Sequence, residues 1–350
     1  MDLESEVLAT TAEGRATKTP AASVPRFVRS SSVGQSGLII SLDLELAWGV
    51  LDRSTFEQYQ KNIDGVPDVV RRLLSTFASR SIRATWAAVG LLGCADADDA
   101  RSMAPGVVPS YRNQRLSPYR VLNDLTAGTA PHRYFAPDLL SEIASSPGQE
   151  LATHTFSHYY CMEPGQNAEQ FRADLRAASS VNARFGKRPT SIVFPRNQSN
   201  PAYLKICYEE GLRSYREQPT PWMYRPGGEK RLAGRAARLL DAYLPLARVA
   251  SQGVTRHPSG MLAIPASRFL RPAVPGRVAE QVRLRRILAE MRATVQNGGF
   301  YHLWWHPHNF GINAQHNLEF LSRVLDHFEA LRHRFGMQSV TMAEAAEHAW

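Results

Sequence analysis

Gly37-Leu-Ile-Ile-Ser41-Leu-Asp43-Leu-Glu45-Leu-Ala-Trp-Gly49 is the stretch on which the reading of this 350-residue chain turns. It enters as a short apolar strand and ends in charge. By the period of two, Ser41, Asp43 and Glu45 share one face and Leu42, Leu44 and Leu46 the other. Two carboxylates aimed the same way repel unless a cation or a shared proton offsets them. An exposed polar face fits poorly between the apolar entry and the departing Ala-Trp-Gly, so the pair reads as functional.

Outward from this strand the chain alternates. The spacing predicts a helix over 66–79, a strand over 82–89, a helix over 137–146, a strand over 150–155, a helix over 168–185 and a strand over 191–195. A helix over 201–211 and a strand over 212–216 follow, and later a helix over 278–296, a strand over 299–306 and a helix over 318–333. Strands with near-continuous apolar cores, separated by helices, argue for an α/β fold with parallel strands in a sheet or barrel. Residues 1–36, rich in Ala, Ser, Thr and Gly, read as a disordered tail before a single domain over 37–350. Residues 94–135 are polar and too long for an ordinary connection. With the Pro/Gly-rich stretch 217–275, they read as insertions.

In parallel α/β folds, active sites gather at the C-terminal ends of strands. Here four strand ends carry unusual polar residues: Asp43 with Glu45, His154 with His158, Arg196 with Asn197, and His306 with His308. His154-Thr-Phe-Ser-His158 places two imidazoles four apart, on one face if the strand turns into a helix there. Two imidazoles and one carboxylate make an open site for a divalent ion, zinc foremost, with room for water and substrate. Cys161 reads as a small buried residue, because a fourth protein ligand would close that site. In the 299–306 strand, His302, Trp304 and His306 alternate onto one face. The near-neutral pKa of an imidazole suits His306 to general-acid work and His308 to a substrate contact. Trp48 and Trp304 could stack on a sugar ring, although strand aromatics are more often core.

This order of an acidic strand end, a His-[Ser/Thr]-x-x-His motif, an Arg/Pro strand end and a late strand-end His resembles the polysaccharide deacetylase family, the NodB-homology carbohydrate esterases, over about residues 37–345. Where that family usually reads Thr-Phe-Asp-Asp-Gly, this chain reads Ser41-Leu42-Asp43-Leu44-Glu45. The resemblance implies an irregular (β/α) barrel, Asp43 as catalytic base, Glu45 as the metal carboxylate, and His154 and His158 as the metal imidazoles. The family's third motif has an Arg a residue or two before a Pro, and that Arg orients the base. Here the order Phe194-Pro195-Arg196-Asn197 offers Arg196 for the task. The fourth motif, an Asp/Trp cluster, has only Trp222 as a candidate. The last motif matches Leu303-Trp304-Trp305-His306.

Together these readings predict a metal-dependent N-deacetylase acting on an acetamido sugar, with Asn197, Trp222, Trp304, His308 and Trp48 toward the substrate. The competing expectations are a deformylase or other hydrolase of a non-sugar amide, and a catalytically silent member that binds glycan or anions. The net charge is +9, and Arg213–Arg286 alone holds fifteen Lys/Arg against four Asp/Glu. Such a segment suits a sugar nucleotide, a lipid-linked glycan or the peripheral contact of an anionic membrane surface. No nucleic-acid recognition motif accompanies it. No apolar run approaches the roughly 20 residues of a membrane span. Acidic residues stand where a signal peptide has a basic head, and the three cysteines imply no disulfide framework. The expectation is a cytoplasmic protein.

Overall fold

The computed structural model describes residues 36–51, 56–125, 130–218, 253–273 and 276–347. The expected tail therefore lies outside the described residues save for Ser36, as do Trp222 and the part of the basic segment over 219–252. The sheet is built from β1 (Ser36–Leu44), β2 (Ala84–Ala88), β3 (Gln149–Thr153), β4 (Ser191–Ile192), β5 (Ser214–Glu217), β6 (Thr255–Arg256), β7 (Leu262–Pro265), β8 (Arg268–Phe269), β9 (Gly299–Trp305) and β10 (Gln338–Val340). Their order is β6-β7-β5-β4-β3-β2-β1-β9-β8, with β10 also pairing with β1. Every pairing is parallel except β6 with β7. Ser41 on β1 stands opposite Thr85 on β2 and Trp304 on β9.

Residues 262–269 join the two ends of this order. β7 lies along β5 and, two residues on, β8 lies along β9. Between them the Ala266 N–H donates to the Glu217 carbonyl (2.9 Å) and the Ser267 N–H to the His302 carbonyl (2.8 Å). The sheet thus curls into an irregular α/β barrel. This corrects the reading of 217–275 as an insertion, since its described part supplies three strands. Four-residue and two-residue runs flanked by Pro258, Pro265 and Pro272 are too short to show a period.

The alternation of β1 divides two cores. Leu38, Ile40, Leu42 and Leu44 face outward into a cluster with Val66, Val69, Val70, Leu73 and Phe77 of the helix Val66–Ser79. Those helical residues recur at three- and four-residue spacing, which is why this segment forms an amphipathic helix against the sheet. Ile39 faces inward, clustered with Ala87, Ala152, Val193, Ile264 and Phe300. Met342 and Ala346 of the closing helix Met342–Glu347 complete that inner cluster. Further along the same inner face the residues turn polar: Ser41 and Asp43 on β1, Arg216 on β5, and His302 and Trp304 on β9. The apolar end is packing and the polar end is the site.

Most helices match the sequence periods. The strand expected over 191–195 is only Ser191–Ile192, followed by a turn at Pro195–Asn197 in which Arg196 and Asn197 are both left-handed (φ 57° and 53°). The described residues of 94–135 contain the short helices Ala97–Met103 and Pro118–Asp124.

Candidate metal centre and active site

Asp43 is the penultimate residue of β1, and Glu45 follows the strand, just before the turn Leu46–Gly49. Both are buried. A side chain at Gly49 would collide with Glu45, because an added Cβ would lie 1.9 Å from its Oε2. Gly49 therefore keeps a berth for this carboxylate. Gly49→Ala is expected to turn Glu45 away and to weaken metal binding about tenfold or more, the scale of disturbed outer positions in metal sites. Titration against a chelating dye measures this.

His154 and His158 leave the end of β3 on a loop rather than the expected helical turn. Thr155 and His158 adopt left-handed backbone (φ 66° and 55°), and the two rings are brought to 5.1 Å between centroids. His154 Nε2 lies 3.1 Å and His158 Nε2 3.2 Å from one atom, Glu45 Oε1. His306, immediately after β9, brings its Nε2 to 3.5 Å from the same oxygen and 3.7 Å from Asp43 Oδ2. Three imidazoles thus converge on one carboxylate oxygen. Burial opposes ionisation of Glu45, yet His306, His154 and His158 outweigh it and hold the carboxyl well below its usual range. Burial likewise disfavours charged His306, but Glu45 and Asp43 overcome it and raise its pKa.

The donor set fits a divalent ion. Glu45, His154 and His158 form one buried group, and Asp43, Glu45 and His306 a second, with the ligand atoms in each within 4.8 Å of one another. Ligands about 2.0–2.2 Å from a tetrahedral zinc lie about 3.3–3.6 Å apart, close to the separations found here. Cys161 belongs to neither group. Its Sγ–H donates to the Gln198 carbonyl at 2.8 Å, and burial pushes the thiol up to about 12, so it offers no thiolate.

Arg196 does not steer Asp43. Its guanidinium pairs with Glu163 (2.9 Å) and lies over the Tyr160 ring (4.1 Å), because the left-handed turn after Pro195 sends it to the rim. The partner of Asp43 is Arg216 at the end of β5, whose Nη1 and Nη2 donate to Oδ1 (2.7 Å) and Oδ2 (2.6 Å). Arg216 is buried and stacks over Trp304 (4.1 Å). Its Nε donates to Asn197 Oδ1 (2.8 Å) and its Nη1 also to Ser41 Oγ (3.0 Å). Burial raises the Asp43 pKa, but Arg216 overcomes this and holds the carboxylate low. Ser41 Oγ in turn contacts His302 Nε2 (2.8 Å), and burial followed by the nearby Arg216 keeps His302 neutral, with its pKa down at about 3.

The other expected site residues divide. Trp304 lines the centre through Arg216, and the His308 ring stacks on His306 at 5.0 Å. Asn197 serves Arg216. Trp48 is core: it is buried, and its indole N–H donates to the Tyr134 carbonyl (2.7 Å). Arg216 and His302 were missed as site residues, although Ser214 and Arg216, like His302 and His306, share a strand face by the period of two.

A curled parallel sheet with carboxylates and imidazoles at its C-terminal mouth defines a barrel with the makings of a metal centre. Residues 55–215 match the polysaccharide deacetylase family model, so the family resemblance read from the motifs is shown. That match contains His154 and His158; Asp43, Glu45, Arg216 and His306 lie outside it and meet them at the C-terminal ends of the strands. A putative polysaccharide deacetylase from Mycobacterium smegmatis shares the fold with a TM-score of 0.58 at 16% identity, over 95% of this chain and 94% of that one. A GH57-type branching enzyme from Pyrococcus horikoshii gives 0.53 at 12% identity, over 91% and 70%. PuuE allantoinase gives 0.51 at 14% identity, over 91% of each chain. No curated protein matches the chain. Among the described residues no helix is long and apolar enough to cross a membrane.

Proposed function

We propose that this protein is a metal-dependent N-deacetylase of an acetamido sugar. The observation that supports this best is the convergence of His154, His158 and His306 on Glu45 Oε1, beside an Asp43 clamped by Arg216. Glu45, His154 and His158 would hold the ion. When bound, such an ion polarises an amide carbonyl and acidifies water. Asp43, ionised because Arg216 lowers its pKa, is placed to take the proton of the attacking water. His306, 3.7 Å from Asp43 Oδ2, is placed to hand a proton to the departing amine, so that C–N cleavage yields acetate and a free amino sugar. Trp304 offers a partly exposed apolar face at this mouth.

The test is metal analysis of the purified full chain, coupled to acetate release from UDP-N-acetylhexosamines and from lipid-linked acetamido glycans. Acetate release that ceases on chelation and returns with zinc is the expected result. Hydrolysis confined to formyl or non-sugar amides would overturn the sugar substrate. Metal uptake with no turnover on any amide would overturn the catalytic reading in favour of a glycan-binding protein.

A further inference from the structure

We infer that Asp174 is a positioning residue for the metal centre, a buried carboxylate that sets the spacing of His154 and His158 by gripping the loop between them. The inference rests on the reading that these imidazoles hold a divalent ion.

The loop after β3 has no regular structure to hold it, and two of its residues sit in left-handed backbone that side-chain-bearing residues adopt only when their surroundings compel it. Its amides are nevertheless almost all accounted for. The His154 N–H donates to the Ala88 carbonyl (2.8 Å), that of Thr155 to Thr153 Oγ1 (3.0 Å), and that of Tyr159 to Thr155 Oγ1 (2.7 Å). The Tyr160 N–H donates to the Tyr111 hydroxyl (2.9 Å). The two amides midway between the ligands, those of Phe156 and Ser157, both go to Asp174, at 2.7 Å to Oδ1 and 3.2 Å to Oδ2. The Ser157 hydroxyl donates to Oδ2 as well. On the other side, the Gly90 and Leu91 N–H groups donate to the Thr155 and Phe156 carbonyls (2.9 and 3.0 Å).

Asp174 lies within the helix Ala168–Ala183, is fully buried, and makes no ion pair among the described residues. A buried carboxylate without a countercharge is costly unless its acceptors are needed. Here they are. Three donors meet at one place and favour the ionised carboxylate, although burial still pushes this carboxyl up to about 7; an Asn would set its own N–H₂ against one of them. The carboxylate touches neither imidazole. It fixes the backbone from which both project, which is how supporting groups raise metal affinity in general.

The test is zinc affinity of the full chain, measured by competition with a chelating dye, beside the melting temperature of the metal-free protein. Asp174→Asn is expected to bind zinc about 10–100-fold more weakly than wild type. Leu175→Ala, which empties buried core on the same helix, is expected to lower the melting temperature while leaving zinc affinity within about twofold, because it leaves the donors of the loop satisfied. Ser157→Ala removes one of the three donors and should weaken binding a few-fold, and it decides the matter if Asp174→Asn does not fold. Zinc affinity of Asp174→Asn equal to wild type, or reduced no more than in Leu175→Ala, overturns the inference, as does unchanged affinity in Ser157→Ala. A wild type that binds no zinc overturns both this inference and the metal reading beneath it. A wild type that binds zinc as tightly as these variants overturns the inference alone.

Discussion

His154→Ala and His158→Ala should each release the metal and reduce hydrolysis to background. With Glu45, each imidazole supplies one of three ligands, and their Nε2 atoms lie 3.1 and 3.2 Å from Glu45 Oε1. Two remaining ligands hold a divalent ion poorly, and the loss of affinity should exceed the roughly 10–100-fold that outer partners cost. The variants should still fold, since the core clusters of the barrel do not include these rings. Metal content after dialysis and acetate release are the measurements. If either variant kept stoichiometric metal and a near-normal rate, the second group of Asp43, Glu45 and His306 would become the better candidate for the ion.

Much of this centre was legible because parallel strands write their ends into the sequence. An inward face of period two needs no tertiary information to show that Asp43 travels with Ser41, or His306 with Trp304. The His154/His158 pair was legible from spacing, although the conformation that unites it was not: two left-handed residues hold the loop where a helical turn was expected. What could not be read was which strand would lie beside which. Arg196 follows Pro195 in the order the family motif suggests, but the turn at Pro195–Asn197 sends it outward to Glu163. Arg216 stands 173 residues from Asp43 along the chain and meets it only once β5 takes its place in the curled sheet. Closure of the barrel by β7 and β8 was equally hidden, since six residues in two short runs carry no period.

Asp43→Asn is expected to separate catalysis from metal binding. Glu45, His154 and His158 remain, so metal should stay bound. The rate should fall roughly 10²–10⁴-fold, the scale of losing a general base. Glu45→Gln should do the opposite and weaken the metal first. If Asp43→Asn lost the metal instead, the roles of the two carboxylates would be exchanged. The clamp on Asp43 can be tested in the same assay. Arg216→Val strands a buried carboxylate, which should cost about 3–5 kcal/mol of stability and much of the rate. β4 and β5 pair with Ser191 opposite Ser214 and Ile192 opposite Tyr215. β4 ends at Ile192, but one more step of that register would set Val193 beside Arg216, and Val193 lies in the inner cluster of the barrel. Val193 is also the residue two before Pro195, where the family motif would carry its arginine. Restoring the guanidinium there, as Val193→Arg in the Arg216→Val background, should recover part of the stability and of the rate, because it can reach Asp43 from the neighbouring strand. A double variant no better than Arg216→Val alone would mean that Asn197, Ser41 and Trp304 hold Arg216 in a geometry that only β5 can supply.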